Sequence, residues 1–221
     1  MVAAVLFDLD GTLLDTAPDL GAALNVVLQA NGRQPLADEK MRPYASHGST
    51  GLLTLGFGQD FSHASDAEKN RLRKQFLAAY EANICQETCL FQGVSELLQT
   101  LAQRKIAAGI VTNKPTHYTQ LVLRYFPELA QLPSIVCGDT LSVNKPNPAP
   151  IRHAADLLQV AYQHCLYVGD AERDIVAGRN AGMTTVLAEY GYLAEHDQTA
   201  TWFADHSIAT PLDILQVIAP Q

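Results

Sequence analysis

The sequence predicts an α/β protein: a parallel sheet with helices on both faces, interrupted near its start by a helical insert. Three observations predict it. An apolar run, Val5-Leu6-Phe7, leads into Asp8, Asp10 and the turn residue Gly11; a short buried run bounded by a turn signal reads as a parallel-sheet strand. From Phe91 onward, short apolar runs alternate with helical patterns, as in successive βα units. Between the two, residues 15–89 show helical spacing and no clear strand. The first strand belongs with the later series, so residues 1–14 and 90–221 are expected to form one core, with 15–89 inserted into it.

Taken in order, residues 19–28 place apolar side chains at helical spacing, and Asn31-Gly32 supplies a stop. Asp38 is expected to cap a second helix, which residues 47–51 (His-Gly-Ser-Thr-Gly) break. Ser65-Asp66-Ala67-Glu68 is a capping signature ahead of a long charged helix reaching about residue 83. Then follow helix 93–103, strand 106–111, helix 116–125, strand 134–137, helix 148–159, strand 165–168, helix 171–182 and strand 184–188. The end carries a weak strand at 207–208 and a last helix from Pro211.

The 221 residues are 48% hydrophobic, enough for a real core and against disorder. A formal charge of −8 argues against nucleic acid as a partner; an anionic substrate must be attracted locally, by a metal or a lysine. The four cysteines (Cys85, Cys89, Cys137 and Cys165) are scattered and read as reduced thiols rather than staples or a zinc site. No basic segment or long apolar stretch precedes the first strand, and no apolar run is long enough to span a bilayer. A cytoplasmic protein without a membrane partner is the expectation.

Four strand ends or loops carry polar residues of a specific kind: Asp8/Asp10; Thr112-Asn113-Lys114; Lys145-Pro146-Asn147-Pro148; and Gly169-Asp170-Ala171-Glu172-Arg173-Asp174. A parallel sheet brings its carboxyl ends to one edge, where ligands bind. Two carboxylates about 4 Å apart repel by about 4 kcal/mol at an effective dielectric of 20, so such a pair calls for a positive partner, usually a metal. The residue types suit phosphoryl transfer. An ionised aspartate is an oxygen nucleophile. A hard cation removes its repulsion by a phosphate ester, and a ligand set without histidine or thiolate favours Mg²⁺. Thr112 and the backbone around Asn113, opening a helix, offer hydrogen bonds to phosphate, and Lys145 adds a compact positive charge.

These motifs, in this order, resemble the haloacid dehalogenase superfamily phosphatases of the phosphoglycolate phosphatase-like type. The matching residues are Phe7 to Leu13, Thr112-Asn113-Lys114, Lys145 to Pro148, Gly169-Asp170 with Asp174, and the helix from Ile175 to Met183. The resemblance implies an α/β Rossmann-like core with an inserted helical cap, and Mg²⁺-dependent hydrolysis of a small phosphorylated metabolite. It makes Asp8 the nucleophile that becomes an aspartyl-phosphate, and Asp10 the acid and then the base. Asp8, the Asp10 backbone carbonyl and Asp170 would hold Mg²⁺, supported by Asp174. Thr112 and Asn113 would bind phosphate, and Lys145 would offset charge at Asp8. Ala171 stands where many relatives carry an acid, which leaves direct carboxylate ligation beyond Asp8 and Asp170 open.

Plainer roles stand beside these. Thr112-Asn113 reads as a helix N-cap, Asp174 as a first-turn charge, and Lys145, taken alone, as a surface-loop lysine. Arg42 to His47 resembles a substrate-facing loop of related phosphatases; Arg42 would clamp an acidic group or simply end a helix, and His47 is a candidate substrate contact. Tyr190-Gly191-Tyr192 is a rim segment or a turn. The resemblance extends to N-acetylmuramic acid 6-phosphate phosphatase, through Thr-Asn-Lys-Pro and Tyr190-Gly191-Tyr192. A phosphosugar mutase shares Asp8 and Asp10, and a phospho-accepting receiver module is the alternative from another class.

Overall fold

The computed structural model describes residues 1–219, and the chain divides into two compact units, residues 1–14 with 90–221 and residues 15–89. In chain order the elements are β1 (Ala4–Phe7), β2 (Leu14–Asp15), α1 (Ala17–Ala30), α2 (Asp38–Met41), a 3₁₀ turn (Arg42–His47), α3 (Gly48–Phe57), α4 (Gln59–Ser62), α5 (Asp66–Ala82) and β3 (Cys89–Leu90). They continue with α6 (Val94–Gln103), β4 (Ala107–Val111), α7 (Thr116–Leu123), α8 (Pro127–Ala130), β5 (Ser134–Val136), α9 (Ala149–Leu157), β6 (Cys165–Gly169), α10 (Glu172–Ala181), β7 (Thr184–Ala188), β8 (His206–Ile208) and α11 (Ile214–Val217).

The first unit is built on a six-stranded sheet in the order β5-β4-β1-β6-β7-β8. Every neighbouring pair is parallel, as the alternation predicts. All four residues of β1 are buried, because helices pack on the sheet: α9 against β4 and β5, α10 against β6 and β7, α6 against β4. One core cluster joins Leu6, Val111, Val136 and Tyr167 of the strands to Ile151, Ala154 and Ala177 of the helices. The chain builds β4 and β5 on one side of β1, then returns to place β6, β7 and β8 on the other. That reversal puts the crevice at the carboxyl end of β1, where open α/β sheets bind ligands.

The second unit is helical, with α1 packed against α3 and α5. Pro18 fits the first turn of α1, where its missing N–H is no loss. Asp19 is buried in the same turn and accepts hydrogen bonds from the backbone N–H groups of Glu87 and Thr88, 3.0 Å each. The Ser65 hydroxyl accepts from Glu68 N–H and caps α5, as its signature predicts.

Three local expectations need correction. Asp38 does not cap α2: Ala37 is the cap residue and Asp38 the first helical one, where its charge still suits the helix N-terminus. Residues 47–51 do not break a helix but begin α3, with Gly48 at φ +60° turning the chain out of the 3₁₀ segment, a conformation glycine adopts without steric penalty. The last helical segment is a 3₁₀ turn, Pro211–Asp213, followed by one turn of α-helix. The four cysteines form no disulfide. Among the described residues, no helix is long and apolar enough to cross a membrane.

Candidate active site

The site lies within the first unit and begins where β1 ends. Asp8 continues the strand by one residue, its N–H donating to Val168 O at 2.9 Å. Thr112 does the same after β4, donating to Val136 O at 2.9 Å. Asp170 directly follows the last residue of β6. Three strand ends thus deliver Asp8, Thr112 and Asp170 by backbone pairing alone.

Asp8, Asp170 and Asp174 are buried and offer carboxylate oxygens within 4.8 Å of one another. Lys145 reaches this cluster from the loop after β5. Its Nζ lies 2.8 Å from Asp8 Oδ1 and 2.7 Å from Asp174 Oδ1, and donates to Val111 O and the Tyr167 hydroxyl, each at 2.8 Å. The Lys145 side chain is 0% exposed, so the plainer surface-loop role does not apply. Arg173 Nη2 stands 3.8 Å from Asp8 Oδ2. Burial pushes the Asp8 carboxyl up to about 7; Lys145 and Arg173 oppose the shift, and Asp174 and Asp170 add to it. Burial and the neighbouring carboxylates also hold the Tyr167 phenol well above its ordinary value, so it remains a neutral donor.

Asp10 is not one of those three carboxylates. Its carboxylate is 2.9 Å from Lys114 Nζ, so the two aspartates of the first motif have different electrostatic surroundings. Asp174 is the first-turn charge of α10 that its place in the sequence suggests, accepting from Ala171 N–H at 3.1 Å, and it also meets Lys145.

Thr112 and Asn113 do not open a helix. α7 starts at Thr116 behind Pro115, and Asp139 accepts from Thr116 N–H at 2.8 Å in place of a cap. The Asn113 side chain is committed elsewhere: Oδ1 accepts from Lys145 N–H and Nδ2 donates to Lys145 O, both at 3.0 Å. It ties the two loops together and fixes where Lys145 starts. Thr112 Oγ1 accepts from Lys114 N–H at 3.1 Å, which leaves the hydroxyl able to donate.

Arg42 and His47 belong to the second unit, at the two ends of its 3₁₀ turn. Arg42 Nη1 forms an ion pair with Asp15, at 3.0 and 2.9 Å to the two carboxylate oxygens. The acid it clamps in this structure is therefore one of the chain's own.

The segment Tyr190-Gly191-Tyr192, a rim segment or a turn by its sequence, contacts the site. Tyr192 N–H donates to Asp170 Oδ2 at 3.0 Å, and the Tyr190 hydroxyl to Thr12 O at 3.0 Å; the segment braces Asp170 and the turn after β1. Gly11 (φ +86°) and Gly191 both press against the Asp170 carboxyl, and a Cβ at either would collide with it. Gly191→Ala is therefore expected to lower stability by about 1–3 kcal/mol, as overpacking does. A urea midpoint equal to that of the parent protein would contradict this contact.

Three comparisons bear on what this geometry belongs to. A family described as haloacid dehalogenase-like hydrolase matches residues 5–188. The chain belongs to that family, a class of hydrolases, which sets the receiver-module alternative aside. It is 42% identical over 208 residues to a phosphoglycolate phosphatase of Xanthomonas campestris pv. campestris, covering 94% of this chain and 92% of that protein. It is 33% identical over 215 residues to an N-acetylmuramic acid 6-phosphate phosphatase of Pseudomonas aeruginosa, covering 97% and 94%. The crystal structure of a predicted phosphoglycolate phosphatase from Haemophilus somnus 129PT superposes with a TM-score of 0.87 at 26% identity, covering 99% of this chain and 98% of that one.

Proposed function

We propose that this chain is a Mg²⁺-dependent phosphomonoester hydrolase that works through an aspartyl-phosphate and takes 2-phosphoglycolate as its substrate. The observation that carries the chemistry is that the two aspartates have different neighbours: Asp8 lies among buried carboxylates and Lys145, and Asp10 faces Lys114. The substrate rests on the relatives named for it. Residues 15–89 take the part of the cap, and a small phosphorylated metabolite in the cytoplasm is the expected partner.

The acidic cluster fits a divalent cation. Its donors are oxygens only, as a hard cation prefers. Three carboxylates face two cationic side chains, Lys145 and Arg173, leaving one negative charge uncompensated in a buried place. Asp8, Asp170 and the Asp10 backbone carbonyl would hold Mg²⁺ with Asp174 in support. The ion would supply charge neutralisation at the phosphoryl oxygens.

In the first half-reaction an Asp8 oxygen attacks phosphorus while the ester P–O bond breaks, and the leaving oxygen takes the proton of Asp10. In the second, Asp10 removes a proton from water, whose oxygen attacks phosphorus. The bond to Asp8 breaks, releasing phosphate, and Asp10 again carries a proton. The Thr112 hydroxyl donates to a phosphoryl oxygen, and Lys145 holds Asp8 in place and stabilises the growing charge.

The test is phosphate release from a panel of 2-phosphoglycolate, N-acetylmuramic acid 6-phosphate and hexose phosphates, with Mg²⁺ and after chelation. Mg²⁺-dependent release with the highest kcat/KM on 2-phosphoglycolate is expected. A maximum on N-acetylmuramic acid 6-phosphate would install the second reading, which the relatives at 33% and 34% identity favour. An isomerised sugar phosphate without free phosphate would mean a mutase, and inertness toward every ester would end the proposal.

The raised Asp8 carboxyl predicts how the ion binds. With its midpoint at about 7, Asp8 is protonated below neutrality and the cation must displace that proton. Mg²⁺ affinity is thus expected to rise about tenfold per pH unit up to about pH 7 and then level off. Calorimetry in buffers of different ionisation heat should show a proton released on binding in the acidic range, and none in Asp8→Asn. Affinity independent of pH would count against this account of Asp8.

A further inference from the structure

Lys114 carries a charge that the reaction above does not use. Its position is tightly set. Its N–H donates to Thr112 Oγ1 at 3.1 Å, and its carbonyl accepts from Gly138 N–H at 2.9 Å and from the Thr119 hydroxyl at 3.3 Å. One pinned turn therefore presents both the Thr112 hydroxyl and the Lys114 side chain. The ammonium is largely enclosed, its side chain 8% exposed, and sits 2.9 Å from Asp10 Oδ1. The other two cations of the site, Lys145 and Arg173, stand against Asp8, with Lys145 also against Asp174.

We infer that Lys114 is a specificity-determining residue that selects phosphate esters bearing a carboxylate next to the ester carbon. The inference rests on the proposed reaction, in which Asp10 serves the leaving oxygen. A proton donor lies about 2.6–3.2 Å from the oxygen it protonates, so the leaving oxygen and the Lys114 ammonium share one carboxylate as neighbour. Whatever is bonded to that oxygen emerges beside a positive charge. In 2-phosphoglycolate a single methylene separates the ester oxygen from a carboxylate, which brings an anion to the ammonium. In a hexose 6-phosphate the same place holds a neutral ring carbon, and the enclosed charge gains no partner. With a net charge of −8 on the chain, the selectivity for an anionic leaving group has to come from such a local cation.

The experiment compares 2-phosphoglycolate with ethyl phosphate, which replaces the carboxylate by a methyl group, on the full chain with Mg²⁺. The parent protein is expected to favour the carboxylated ester in kcat/KM, and Lys114→Met to shrink that preference by about 10- to 150-fold, the scale of one hydrogen bond to a charged group. The loss should fall mainly on KM for 2-phosphoglycolate, and Lys114→Arg should keep part of the preference. An equal fall on both esters in Lys114→Met overturns the inference, because Lys114 would then act only through Asp10. A parent protein that cleaves both esters equally well also overturns it while leaving the hydrolase reading intact, and this arm decides the matter even if Lys114→Met does not fold. Release of phosphate from neither ester is a failure of the proposed function itself.

Discussion

Asp8→Asn is expected to abolish turnover, with a loss of about four orders of magnitude or more in kcat, since removing a nucleophile takes away the covalent route altogether. The substitution is nearly isosteric. An asparagine oxygen can still accept from Leu9 N–H, which Asp8 Oδ1 meets at 2.8 Å. What disappears is the negative charge. Because burial is the largest influence on the Asp8 carboxyl and raises it, ionised Asp8 carries a desolvation penalty in the folded state. The variant should therefore lose activity without losing stability. Acid quench after mixing with labelled substrate should trap a phosphorylated protein in the parent and none in the variant. Labelling that persists in Asp8→Asn rules out this nucleophile.

Lys145→Met is expected to have the largest effect on stability. It removes the ammonium from between Asp8 and Asp174, both buried. Breaking a buried pair by deleting one partner typically costs about 3–5 kcal/mol, which for a chain of this size corresponds to a fall in Tm of roughly 6–20 °C. Adding Asp174→Asn should return part of the loss, because it discharges one of the two stranded carboxylates. The two substitutions should accordingly be non-additive, as expected for direct neighbours. A Lys145→Met protein as stable as its parent would show that the ammonium is not what compensates these charges.

How much of this was legible in the sequence follows from how local each signal is. Strands such as β1 and β6 announce themselves as short apolar runs, and a parallel α/β sheet necessarily gathers their carboxyl ends. The convergence of Asp8, Thr112 and Asp170 thus follows from the fold class. Strand order does not: nothing near Phe7 says that its neighbours are Ile110 and Val168. The supporting contacts are equally remote in sequence. Tyr167 reads as one more apolar strand residue, yet its hydroxyl meets Lys145 and Val111 O. Gly191 reads as a turn, yet it exists in contact with Asp170. Asn113 looks like a helix start because an amide after a strand can cap one, and only the fold reveals that Lys145 takes both ends of its side chain. Lys114 carries no signal of its own, because Lys145 already satisfies the charge that the chemistry asks of the sequence. The start of α3 was misread because glycine at 48 and 51 signals a stop by composition, while the actual turn out of the 3₁₀ segment uses Gly48 alone.

The central place of β1 has a consequence for biosynthesis. Residues 4–7 are made before both of their neighbours: one flank of the strand waits for residues 107–110 and the other for residues 165–168. Until residues 165–168 have emerged, the strand end bearing Asp8 keeps an unzipped edge, and until Lys145 has emerged it has no ammonium beside it. Contacts so distant in sequence slow the final closure of the sheet. The carboxylate of Asp8 is therefore fully enclosed only after residue 168 has been made, well after the inserted helices of residues 15–89.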